Sequence, residues 1–211
     1  MYVVVADQVG SRDGTDRVPA ALDHLAGIEG SMVLAFERTT GDELQGLTGD
    51  PATVVSAVVR LSRLGGWRIG IGAGAVELPL PSSTREARGP AYLAARDAIE
   101  AAHANPVDLA LALAAPPGTV GGRRYREPVP EAVDAETALW LLKFILATRS
   151  PEGWELVELL DQGHTNAAAA KALGISASAA SQRLARAHRA EAVRAAGLAT
   201  RLLARLAENG S

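Results

Sequence analysis

Ser176, Ser178, Ser181, Gln182, Arg183, Arg186 and Arg189 crowd one short stretch near the end of the chain. Displayed along a helix, hydroxyl, carboxamide and guanidinium groups of this kind hydrogen-bond base edges in a major groove. Arg183, Arg186 and Arg189 can also neutralise phosphates. The residues just before them supply what such a helix needs. An Ala-rich segment over 166–173 predicts a compact helix, with Ala168 and Ala169 small enough for a close neighbour. Gly174 permits the positive φ of a tight turn, and Ile175 can plug the angle between two helices. Ser176 is a favourable N-cap for the helix that follows. The spacing predicts a helix-turn-helix over 153–189, with double-stranded DNA as partner. The bland alternative is a helical hairpin whose arginine face meets only solvent.

A second group of candidates lies in the first half. Asp7 ends the apolar run Tyr2-Val-Val-Val-Ala, and Asp42 with Glu43 occupies the turn of Thr40-Gly41-Asp42-Glu43-Leu44. Carboxylates brought together from two neighbouring strands suit a hard cation such as Mg²⁺, which in turn suits nucleotide phosphates. Turn carboxylates that only cap and solvate are the simpler reading of Asp42 alone. The glycines of Trp67-Arg68-Ile69-Gly70-Ile71-Gly72-Ala73-Gly74 have a dinucleotide-binding look, but no helix follows them. They are expected instead to thin one face of a strand so that another backbone or a ligand can lie close.

The elements that must position these residues follow from periodicity. Strands are expected over 2–6, 31–39, 43–47, 67–78 and 107–114, and helices over 18–25, 51–64 and 89–104. Asp50 and Pro51 start the middle helix as N-cap and first-turn residue. Everything after residue 130 reads as helix, over 130–148, 152–161, 166–173, 176–190 and 192–207. Between the two halves, 116–130 is rich in Pro, Gly and Arg and reads as a linker. The expected fold class is therefore α/β (α+β): a ferredoxin-like unit over 1–115, the linker, and an all-α helix-turn-helix unit over 131–211. Val193, Leu198, Leu202 and Leu206 predict an apolar stripe on the last helix, facing Trp140, Leu141 and Phe144 or a second copy in a homodimer.

Composition narrows the classes. The chain has no cysteine, which excludes disulfides and thiolate metal sites. No apolar run approaches the ~20 residues that span a bilayer, and the first residues do not read as a signal peptide, so a cytoplasmic protein without membrane contact is expected. Positive charge is unevenly placed: 176–206 holds six Arg against one Glu. That is a footprint for a polyanion.

Taken with these residues, the chain resembles the SatD family of bacterial DNA-binding proteins. The matching pieces are Asp7 with Ser11-Arg12, Asp16-Arg17, Thr40 to Gly46, Arg68 to Gly72, Gly89-Pro90-Ala91-Tyr92, Ala95-Arg96 and the terminal helix-turn-helix. The first half also resembles class III nucleotide cyclase and GGDEF domains. That resemblance implies a cyclase-type fold, metal binding at Asp7 and Asp42, phosphate contact from Arg96 and a purine-facing role for Arg38. Tyr92 stands where the cyclases carry a catalytic asparagine, with Arg85 and Arg88 nearby. The combined expectation is a transcriptional regulator whose cyclase-like part senses a nucleotide, with Mg²⁺, or serves in dimerisation. A nucleotidyl cyclase or transferase is the alternative.

Overall fold

The computed structural model of the chain describes residues 1–11, 14–115 and 129–209, the side chains of residues 29, 30 and 209 excepted. The expected linker falls almost wholly outside these residues, as does Arg12. The architecture is mixed α/β. Five strands form one sheet in the order β2-β3-β1-β4-β5: β1 (Tyr2–Gln8), β2 (Leu34–Arg38), β3 (Glu43–Thr48), β4 (Trp67–Ala73) and β5 (Leu109–Leu113). The pairs β1–β3, β1–β4 and β2–β3 are antiparallel, and β4–β5 is parallel. Helices α1 (Val18–Leu25), α2 (Pro51–Leu64) and α3 (Pro90–Ala102) connect them. After β5 come α4 (Pro130–Ala147), α5 (Pro151–Asp161), α6 (Asn166–Ala172), α7 (Ala177–Arg186) and α8 (Arg189–Asn209). No helix among the described residues is long and apolar enough to cross a membrane.

Strand alternation divides the core. Tyr2, Val4 and Ala6 of β1 face α1 and α2, in one apolar cluster that continues into α4 and α8. Val3 and Val5 face the other way, onto Ala91, Ala95 and Ile99 of α3. The helices are started by local chemistry. Asp50 accepts from the backbone N–H groups of Ala52 (3.0 Å) and Thr53 (3.1 Å), and Pro51 fills the first position, where no N–H is needed. The Thr53 hydroxyl, 2.7 Å away, leads in holding the Asp50 carboxyl below its usual range. Asp50→Ala is expected to cost about 1 kcal/mol at neutral pH in urea melts. The folded-state pKa lies below the unfolded one, so this contribution is complete above the unfolded value. It fades as pH falls through the folded one, and the gap between wild type and variant should close in acid.

Several expected boundaries shift. β4 stops at Ala73 rather than 78, because the chain leaves the sheet at Gly74 and Pro79 and Pro81 lie beyond it. β2 begins at Leu34, after a 3₁₀ turn over Ala26–Ser31. The helix expected over 176–190 ends at Arg186, where His188 takes φ +48° and the chain restarts as α8. The apolar stripe of α8 is also displaced. Ala192, Ala199, Leu203 and Leu206 are buried, whereas Val193 and Leu198 are exposed at 58% and 42%. Small alanines let α8 lie close over α2 and α4, which turns the larger Val193 outward. The Tyr2 hydroxyl donates to the Leu203 carbonyl and ties α8 to the sheet; burial pushes this phenol up to about 12.

One device was not foreseen. β5 is an edge strand, and α4 runs beside it. Glu136 accepts from Leu111 N (2.8 Å), Trp140 Nε1 donates to Leu109 O (2.9 Å) and Lys143 Nζ donates to Asp108 O (2.8 Å). These three share one helix face, by their spacing of four and three. Glu136 and Trp140 occupy edge groups of β5 that would otherwise template another strand, whereas Asp108 O, just before the strand, also accepts from Ile69 N of β4 at 3.0 Å.

Candidate functional site

Three short helices carry the residues that point to nucleic acid. Each begins with a hydroxyl cap: Ser150 on α5, Thr165 on α6 and Ser176 on α7, accepting from the N–H of Gly153, Ala168 and Ala179 at 3.1 to 3.2 Å. Glycines with positive φ make both turns, Gly163 (+92°) and Gly174 (+65°). A small core of Leu156, Ala169, Ala170 and Ala180, joined by Ile175 and Leu184, holds the three helices together. The alanines matter because a larger side chain at Ala169 or Ala180 would push α6 and α7 apart.

Of α7, only Ala180 is buried. Ser176, Ser178, Ser181, Gln182 and Arg186 are exposed, and Arg183 is half-buried. The helix thus presents a polar outer face along its whole length. Three expected contacts are already engaged, Ser181 by a long hydrogen bond that its hydroxyl accepts from Asn166 Nδ2 at 3.5 Å. The Ser176 hydroxyl caps its own helix, and Arg189 donates Nε and Nη2 to Asp161 at 2.9 and 2.7 Å. Arg189 also opens α8 rather than extending α7, so its charge belongs to the hinge between the two helices.

On the sheet, Asp7 lies opposite Glu43 on one side and Arg68 on the other. Its carboxylate meets His103 Nε2 at 3.2 Å and Arg68 Nη1 at 3.6 Å. Burial raises its pKa, the His103 and Arg68 charges oppose this, and the nearby Asp42 carboxylate adds to the rise. Asp42 and Asp7 are therefore close enough to feel one another, as the sequence suggested, but Arg68 and His103 beside Asp7 were not legible in it. No cluster of three or more metal-ligating side chains occurs among the described residues.

Arg38 and Arg96 part company. A register shift between Leu34 and Glu37 inserts a bulge into β2. Leu34 and Glu37 consequently share the α3 face, while Arg38, opposite Leu44, turns to the α1 face and grips Asp16 at 2.5 Å. This contact leads in lowering the Asp16 carboxyl below its usual range. Arg96 stays on the α3 side and lines a cavity of about 800 Å³ with Arg85, Arg88, Glu77, Glu43, Gln45 and Tyr92 among its walls. None of these three arginines makes an ion pair among the described residues. The loop bearing Arg85 and Arg88 is pinned to the sheet. Gln45 Nε2 donates to Thr84 O (2.9 Å), the Ser83 hydroxyl donates to Glu37, and Glu77 N donates to Arg88 O (2.9 Å).

The chain matches no family model, no curated protein and no solved structure.

Proposed function

We propose that the protein is a DNA-binding regulator that reads duplex DNA with α7. The observation that carries this reading is the exposure of Ser178, Ser181, Gln182 and Arg186 on a capped helix whose opposite face packs on α5 and α6. Such a helix is short enough, and free enough along one side, to enter a major groove by its N-terminal end. The strand order β4-β1-β3-β2, with α1 and α2 as the crossovers, supports a ferredoxin-like reading of the first part, with α3 and β5 as additions. Within this proposal the cavity around Arg85, Arg88 and Arg96 is where the phosphates of a nucleotide would be received. Arg38 has no part in it. Mg²⁺ held at Asp7 and Asp42 would have to displace Arg68 and His103 from the Asp7 carboxylate, which favours sensing over nucleotidyl transfer.

The test is selection of bound duplexes from a random pool, followed by anisotropy titrations of the winner at several salt concentrations. A selected site should bind well above random duplex, with log affinity falling linearly with log salt. A folded chain that retains no duplex even at low salt ends the proposal.

A further inference from the structure

Where the first turns of β4 and β5 meet the junction of α4 and α5, the fold leaves a cavity of about 650 Å³. Such a volume suits a small organic ligand. Trp67, Phe144 and Trp154 supply aromatic wall, and Lys143 and Arg149 line the same space. Neither cation has a carboxylate partner within 4.0 Å among the described residues. Lys143 Nζ is held only by two carbonyls, Trp67 O at 3.1 Å and Asp108 O at 2.8 Å. Arg149 is 8% exposed, stacks over Trp154 at 4.3 Å and donates Nε to Ala187 O at 2.9 Å. Its Nη2 is buried with no partner, as are Ser62 Oγ and Trp67 Nε1 in the same wall.

A buried Arg149 and a half-buried Lys143 with no carboxylate in contact are costly to keep, and unmatched buried donors add to that cost. Of the other charges of the wall, Glu155 is exposed and the Asp108 carboxylate favours the Lys143 ammonium without touching it. Arg63 is paired with Glu158 at 2.7 Å, and Asp108 lies 3.4 Å from Arg68. Two cations beside aromatic wall suit an anion carrying an apolar body.

We propose that this cavity binds a small monocarboxylic acid, its carboxylate set against Lys143 and Arg149 and its flat or branched body between Trp67, Phe144 and Trp154. A polyphosphate fits poorly, since these aromatic walls could not solvate the charges that two cations leave over. Burial already pushes the Lys143 ammonium down to about 8, with Asp108 opposing and Arg68 adding to the fall. An arriving carboxylate favours the charged amine, so affinity falls as pH rises through that value. The site also bears on α7, because Arg149 holds the carbonyl of Ala187 at the end of that helix. This regulatory consequence rests on the DNA-binding reading; occupancy of the site does not.

The experiment is calorimetry and tryptophan fluorescence of the full chain, without DNA, against a panel of aromatic and branched monocarboxylates. Phenylacetate, isovalerate and their amides are the first probes. A saturable acid site is expected, with the matching amide roughly tenfold weaker or worse. Lys143→Met should remove that discrimination. Phe144→Ala, at an exposed residue that the fold does not need, should weaken acid and amide together. The proposal is overturned if the folded chain binds no acid of the panel, if acid and amide bind alike, or if Phe144→Ala leaves acid binding unchanged. Each of these readings leaves the DNA proposal standing or falling on its own titration.

Discussion

Gly72→Ala is expected to be the most damaging small substitution in the sheet, lowering stability by about 3 kcal/mol or more. The cause is the approach of α3. A Cβ built on Gly72 would fall inside contact distance of Ala91 O and Ala95 N, and 2.7 Å from Ala95 Cα. One built on Gly70 would lie 2.5 Å from Ile99 N. These are backbone atoms of a helix, which cannot swing aside as the end of a lysine can. The whole of α3 would have to lift from β4, and Ala91, Ala95 and Ile99 would lose contact with Val3 and Val5. For a chain of this size each kcal/mol is worth about 2–4 °C, so a fall of roughly 10 °C in Tm should be seen. Gly49→Ala is the control, because its Cβ would meet only Met1 Sδ at 3.6 Å. Equal melting of the two variants would show that α3 does not lie so close.

Those glycines illustrate what a sequence of this kind discloses. The absence of a following helix argued against a dinucleotide fingerprint at Gly70 and Gly72 and left a close approach by a backbone or a ligand, and the backbone of α3 makes that approach. α2 was legible to the residue, since Asp50 and Pro51 are local signals whose meaning does not depend on tertiary structure. The hairpin at Thr40 to Glu43 was legible too, as were the Gly174 turn and the Ser176 cap of α7, whereas the caps Ser150 and Thr165 and the Gly163 turn were not singled out. Features that depend on where a side chain points after a long-range choice were not. Simple alternation from Leu34 carries Arg38 to the face of Arg96. The bulge before Glu37 reverses that, and nothing in Leu-Ala-Phe-Glu-Arg marks it. His103 was invisible as a partner of Asp7 because only the packing of α3 brings the two together. The same holds for Glu136, Trp140 and Lys143, whose helical spacing is plain but whose targets are backbone groups on and beside strands formed elsewhere. Arg85 and Arg88 were placed near the candidate pocket, yet the hydrogen bonds that fix their loop come from Gln45 and Glu37 on other strands.

Replacing Arg183 and Arg186 together by Ala should weaken binding to a selected duplex by about a hundredfold or more, as loss of two charge-assisted contacts worth about 1–3 kcal/mol each requires. If both guanidiniums meet phosphates, the slope of log affinity against log salt should also shrink by about two units. Folding should survive, because the core face of α7 is Ala180 with Leu184 and neither arginine belongs to it. The two charges do favour the C-terminal end of the helix, so a loss of about 0.5 kcal/mol is the most that stability should register. Gln182→Ala makes a contrasting case. A carboxamide reads base edges, so its loss should relax preference at one position of the site and leave the salt slope alone. Arg189→Ala separates an arginine committed to an ion pair from the two proposed to meet DNA. Its side chain is committed to Asp161, and that exposed pair is worth about 0–1 kcal/mol. The variant should therefore lose a little stability and almost none of the salt dependence, contrary to what its place in an arginine-rich stretch suggests. Should Arg189→Ala weaken DNA binding as much as the Arg183 and Arg186 pair, the groove-facing surface would have to be moved to the start of α8.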